Sequence, residues 1–194
     1  EISCSLVGSE MCIRDRNVKH IAFAAMAIAL AVATSMIKVI KLPMGGSVTL
    51  FSMLFIVLIG YWYGIKTGLT AAIAYGVLQL LLDPYILNIP QVLLDYILGF
   101  GALGLSGIFS KSKHGLVKGY IIGVIGRFIC SFLSGWIFFA VYTPDFFNSA
   151  ILYSVVYNGS YIGLEAVVTL VVISLLLLIK HWHMLKIILY RIIG

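Results

Sequence analysis

Long apolar runs broken by short polar interruptions dominate this chain, and their lengths predict helices rather than strands. The first run spans residues 18–40 and stops at Lys41 to Ser47, KLPMGGS, where a proline and paired glycines act as breakers. A second helix is predicted over 49–63, closing on the cluster Tyr61, Trp62 and Tyr63, residue types that favour a membrane interface. A third follows over 69–82, where Asp83-Pro84 ends it. A fourth is predicted over 90–109, a fifth over 116–142, and a sixth over 149–179 with a break near Asn158-Gly159-Ser160. The fold class expected is therefore all-α, an integral membrane protein of six transmembrane helices. Several runs fall short of the ~20 residues a perpendicular span needs, and short or broken helices in a bundle commonly line a cavity.

Composition fixes the solvent. The chain is 62% hydrophobic and 10% charged, against about 25% charged in soluble domains. That much apolar surface has to face lipid, so a lipid bilayer is the first partner expected. The net charge of +6 does not point to nucleic acid, because the basic residues sit between apolar runs. Lys19, Lys66, Lys111, Lys113, Lys118, Lys180, Lys186 and Arg191 fall on one side of the predicted topology, and Lys38 and Lys41 on the other. The basic side is cytoplasmic by the positive-inside rule, which puts both termini in the cytoplasm of a multi-pass plasma-membrane protein. Residues 1–16, EISCSLVGSEMCIRDR, are polar and aperiodic. They resemble a non-native, adapter-derived segment, leaving 17–194 as a single six-helix membrane domain.

Catalytic chemistry finds little support. No GxxxxGK[ST] occurs, so the chain has no P-loop for ATP, and neither HExxH nor CxxC is present. Cys4, Cys12 and Cys130 make no metal or redox spacing, and the four histidines all lie in predicted cytoplasmic flanks. No metal site, catalytic group or cofactor is expected. Three ionisable residues stand out instead at membrane depth: Asp95, Arg127 and Glu165. Each costs about 2.5–3.5 kcal/mol at the centre of a lipid-exposed helix, so such groups turn inward and mark a site or pair with one another.

Gln91 and Asp95 share a helical face, with Tyr96 beside them; Arg127, Ser131 and Gly135 form a stripe at spacing four. Tyr153, Tyr157, Asn158 and Tyr161 bring phenols and an amide to the last helix. Two readings stay open on these residues: a pocket for a flat, partly polar, cationic ligand, or a structural Asp95–Arg127 pair. On the first helix Ala22, Ala25, Ala29 and Ala33 share one face, and Ala24, Ala27, Ala31 and Ser35 nearly the opposite one. Small residues allow close helix approach in membranes, which leaves one face for a docking partner.

The runs PMGGSVTLFSML (Pro43 to Leu54), LDPYILNIPQVLLDY (Leu82 to Tyr96), RFICSFLSGWIFFAVYTP (Arg127 to Pro144) and YSVVYNGSYI (Tyr153 to Ile162) resemble the thiamine-specific S-component, the ThiT family, of energy-coupling factor (ECF) transporters. The resemblance implies a protein that captures thiamine from outside and is not an enzyme. An ECF transmembrane coupling protein and two ATPase subunits would drive uptake, with ATP used by those partners only. It assigns the acid to Asp95 beside Tyr96, the base to Arg127, and ligand contacts to Tyr153 and Asn158. The aromatic position falls on Phe139, with Trp136 as a nearby substitute. Ser131 stands where the family commonly has a histidine that flanks the thiazolium; Phe55, Ile97, Val141 and Leu164 also depart from the pattern. The alternatives are an S-component for another vitamin or pyrimidine-like ligand, or a membrane assembly protein with no ligand.

Overall fold

Why the apolar runs become six helices, and where they do not, is set by turns and small residues. The structure is a computed structural model describing residues 6–144 and 147–193, with side chains over 18–144 and 147–179. Helix α1 (Leu6–Met36) leads into strands β1 (Lys38–Lys41) and β2 (Ser47–Thr49). Helices α2 (Ser52–Tyr63) and α3 (Ile65–Leu82) follow, joined by Gly64 alone at φ +83°. Helix α4 (Ile89–Phe109), α5 (Gly115–Phe138) and α6 (Ala150–Ile193) complete the bundle. Among the described residues, five helices are long and apolar enough to cross a membrane, and α2, at 12 residues, is an apolar helix too short to do so. Large apolar side chains such as Phe23, Leu81, Val141 and Ile179 are exposed on the outside, the arrangement a lipid solvent requires.

Four expectations are corrected. The first helix ends at Met36, not 40, because Lys38-Val39-Ile40-Lys41, with β-branched Val39 and Ile40, pairs with Ser47–Thr49 in an antiparallel hairpin. The last helix is unbroken at Asn158-Gly159-Ser160 and continues past 179. In lipid, opening the backbone there would strand polar groups without partners, so small residues alone do not break a helix. The fourth is not one regular α-helix: a π segment, Leu93–Leu98, precedes a 3-10 stretch, Ala102–Phe109. The fifth ends at Phe138, with a separate 3-10 turn at Ala140–Tyr142. Of the proposed non-native segment, residues 1–5 lie outside the described residues, and the backbone of α1 is helical from Leu6.

The 3-10 half of α4 is the hub, packed on α2, α3 and α5. Glycines permit this closeness. A Cβ on Gly104 would meet the Leu69 backbone at 2.6 Å, and one on Gly68 would meet Gly60 Cα at 2.7 Å. Met53, Ile56, Val57 and Ile59 of α2 join Ala72 and Tyr75 of α3 and Leu103 of α4 in the buried core. Beside this core, the hairpin, the 83–88 loop and the ends of α4, α5 and α6 enclose a polar space.

Candidate ligand cavity

The cavity has an internal volume of about 140 Å³, walled by the hairpin on one side and by α3 to α6 on the others, with Ser35 of α1 and Ser52 of α2 also lining it. The π segment carries Asp95 and Tyr96 into it. Segments of this kind are rare and often found at functional sites, because the extra residue per turn redirects side chains. Asn88 caps the start of α4 by accepting from Gln91 N at 2.8 Å. Gln91, almost fully buried, then holds the neighbouring loop and the acid together. Its Oε1 accepts from Leu87 N at 3.2 Å, and its Nε2 donates to Asp95 Oδ2 at 2.7 Å. Tyr96 closes the same loop, its hydroxyl accepting from Tyr85 N at 2.9 Å and donating to Asp83 O at 3.0 Å.

Asp95 and Arg127 do not neutralise one another. Asp95 Oδ2 takes a second bond from Ser134 Oγ at 2.7 Å, and Oδ1 accepts none among the described residues. The Arg127 guanidinium lies over the Phe100 ring, 4.1 Å from its centroid, and its buried Nη1 has no hydrogen-bond partner. The ion pair found among the described residues is Lys38–Asp83, which ties β1 to the end of α3 at the cavity wall. A structural Asp95–Arg127 pair is therefore not what these side chains form. One charged group of each sign instead faces a shared space with bonding capacity left over.

Of the residues singled out in the sequence, Asp95, Tyr96, Arg127, Ser131, Gly135, Phe139, Tyr153 and Asn158 line this cavity. Trp136 does not. A helix turns about 100° per residue, so Gly135 and Phe139 share the inner face while Trp136 is rotated off it; its ring stacks on Phe132 at 6.2 Å. Gly135 is needed for close approach of α5 and α6, since a Cβ there would meet Ser154 Oγ at 2.3 Å. Asn158 is engaged within its own helix: Nδ2 donates to Ser154 O at 3.0 Å, and Oδ1 accepts from Tyr161 at 2.9 Å. Phe139 stacks on Tyr85 with centroids 5.7 Å apart, forming an aromatic wall.

Ser134 escaped the sequence reading, although it continues the Arg127–Ser131 stripe at the next helical spacing, seven residues on. The hairpin contributes Met44, Gly45, Gly46 and Thr49, which no periodicity could have placed there. Among the described residues, no three His, Cys, Asp or Glu side chains gather into a metal-holding group. The alanine face Ala22, Ala25, Ala29 and Ala33 is exposed along its length, whereas Ala27, Ala31 and Ser35 are buried against the bundle.

The family model for thiamine transporter proteins (Thia_YuaJ) matches residues 21–185. Thiamine transporter ThiT of Bacillus subtilis (strain 168) is 32% identical over 151 residues, 71% of this chain and 78% of that protein. Thiamine transporter ThiT of Lacticaseibacillus paracasei is 30% identical over 131 residues, 59% of this chain and 65% of its own length. A solved structure of ThiT from Listeria monocytogenes superposes with a TM-score of 0.73 at 25% identity, over 84% of this chain and 94% of that one. This chain belongs to the thiamine transporter family, a family of membrane carriers and not of enzymes.

Proposed function

We propose that this chain is the substrate-binding S-component of an ECF-type importer and captures thiamine in the cavity between the hairpin and α3 to α6. The observation that carries the reading is the arrangement of its two charges. Asp95 keeps one oxygen free of protein donors, and Arg127 keeps a buried nitrogen free of acceptors. Thiamine carries a fixed positive charge and an aminopyrimidine with both donors and ring acceptors. Its amino group suits Asp95, its ring nitrogens suit the cationic side, and the Tyr85–Phe139 wall and Tyr153 offer faces for flat rings. Cation–π attraction adds about 0.5–2 kcal/mol for each well-placed ring. Ser131, where relatives commonly stack a histidine, supplies only a hydroxyl to the cavity, so stacking on the thiazolium falls to the aromatic wall.

Energy would come from partners. The exposed Ala22, Ala25, Ala29 and Ala33 face fits a helix of the transmembrane coupling protein, which in turn carries two ATPase subunits. Both termini are assigned to the cytoplasm and the hairpin to the outside, on the asymmetry of Lys and Arg. Isothermal titration calorimetry of the full chain in detergent tests the ligand, with thiamine against pyridoxine and a free aminopyrimidine. Saturable thiamine binding is expected. Binding of pyridoxine or the pyrimidine in its place would assign the cavity to a sister vitamin, and no heat from any of them would remove the S-component reading.

A further inference from the structure

Glu165 lies on α6, only 4% exposed, and pairs with no cation among the described residues. Its carboxylate is spread over the exit of the hairpin. Oε2 accepts from Thr49 Oγ1 at 2.7 Å and Thr49 N at 3.4 Å; Oε1 accepts from Ser52 Oγ at 3.1 Å and Met53 N at 3.3 Å. Met53 N belongs to the first turn of α2, whose unpaired amides and dipole favour a negative charge at that end. Between the two gripped points stands Phe51 at φ 60°, a left-handed conformation that a bulky residue rarely adopts. Thr49 and Ser52 also line the cavity, with their hydroxyls 2.8 Å apart. Two turns earlier on α6, the Tyr157 hydroxyl bonds Pro43 O and accepts from Gly46 N, holding the other end of the hairpin.

We propose that Glu165 is a positioning residue of the ligand cavity: it touches no ligand itself but fixes the Thr49–Ser52 wall that does. The inference rests on the reading of this cavity as the thiamine site. Only a carboxylate can do the task. Each of its oxygens meets a backbone N–H, which cannot turn away as a hydroxyl can. A glutamine in either orientation therefore sets an NH₂ donor against an N–H donor. Glu165 thus holds the hairpin exit through its acceptors, not its bulk, so the same-sized amide should release it.

The test uses Glu165→Gln in the full chain, with thiamine titrations and amide hydrogen exchange on the same preparation. Affinity is expected to fall on the order of tenfold. Exchange over residues 48–54 is expected to accelerate, while exchange along α5 stays at the parent rate. A parent-like affinity, or unchanged exchange at 48–54, overturns the proposal. If the parent binds no thiamine, the reading of the cavity fails, and the exchange comparison alone decides whether Glu165 holds the hairpin. If the amide variant is not recovered folded, Thr49→Val and Ser52→Ala replace it, each removing one hydroxyl donor. Each should weaken binding a few-fold and speed local exchange, whereas parent-like exchange in both overturns the proposal.

Discussion

Ser134 on α5 and Gln91 on α4 converge on the same oxygen of Asp95, each at 2.7 Å. The carboxylate is held by two neutral donors from two helices, and its second oxygen is turned free of them. A group built this way is oriented without being neutralised. That is what recognition of a cationic ligand requires, and it differs from a salt bridge whose purpose is to cancel charge.

Asp95→Asn should lower thiamine affinity by about ten- to a hundredfold, because it keeps the shape but removes a charge-assisted acceptor worth roughly 1.5–3 kcal/mol. Ser134→Ala removes a neutral donor that only orients the acid, so a smaller loss, about three- to tenfold, is expected. Calorimetric titration of both variants in detergent reports affinity per folded molecule. An Asp95→Asn protein that binds like the parent would take the acid out of the site.

Much of this was legible in the sequence, for a physical reason. Asp95 and Arg127 are too polar for lipid, so each is expected to face inward, and helical spacing puts Ser131 on the face of Arg127. What escaped was local geometry without a periodic signal. Lys38 to Thr49 reads as helix end and turn, yet the β-branched Val39, Ile40, Val48 and Thr49 and the Pro43–Gly46 turn make a hairpin closed by Leu42 N to Gly46 O at 2.8 Å. The π segment at Leu93–Leu98 and the unbroken α6 escaped too, since both depend on how neighbouring helices satisfy the backbone. Trp136 drew notice for its type and fell off the face by a single residue of helical rotation.

Bulk on the exposed alanine face should separate binding from transport. Ala25→Trp or Ala29→Trp is expected to abolish thiamine uptake by cells while changing affinity in detergent by less than about twofold, because neither residue is packed in the bundle. Uptake assays beside titrations decide it, and normal uptake by both variants would end the docking assignment for this face.

The assigned orientation makes a direct labelling prediction. In a cysteine-free background, Ile86→Cys in the 83–88 loop should react with an impermeant maleimide added to intact cells, and Lys113→Cys should react only after lysis. Both positions are exposed, so access is set by sidedness and not by packing. Labelling of position 113 from outside would invert the topology.

Gly104→Ala should destabilise the helical hub by about 1–3 kcal/mol, the usual cost of overpacking against backbone that cannot yield. Gly101→Ala is the matched control, because its added methyl would meet Ile73 Cγ1 at an ordinary 3.6 Å. Thermal unfolding in detergent should show a lower midpoint for the first and a near-parental one for the second. Equal midpoints would mean that the close crossing at Leu69 is not a tight constraint.

The brevity of α2 and the packing at its far end bear on the path of a captured solute. Twelve residues rise about 18 Å, some 12 Å short of the hydrocarbon thickness. The hairpin precedes α2 and, with Thr49 and Ser52, borders the cavity. Toward the other end of α2, Gly60, Gly68 and Gly104 pack α2, α3 and α4 backbone against backbone. A molecule resting beside Asp95 would meet this close-packed backbone, not open space, on that side. Onward passage of such a molecule requires that packing to move, so the glycine crossings are a barrier that a transporter of this family has to rearrange.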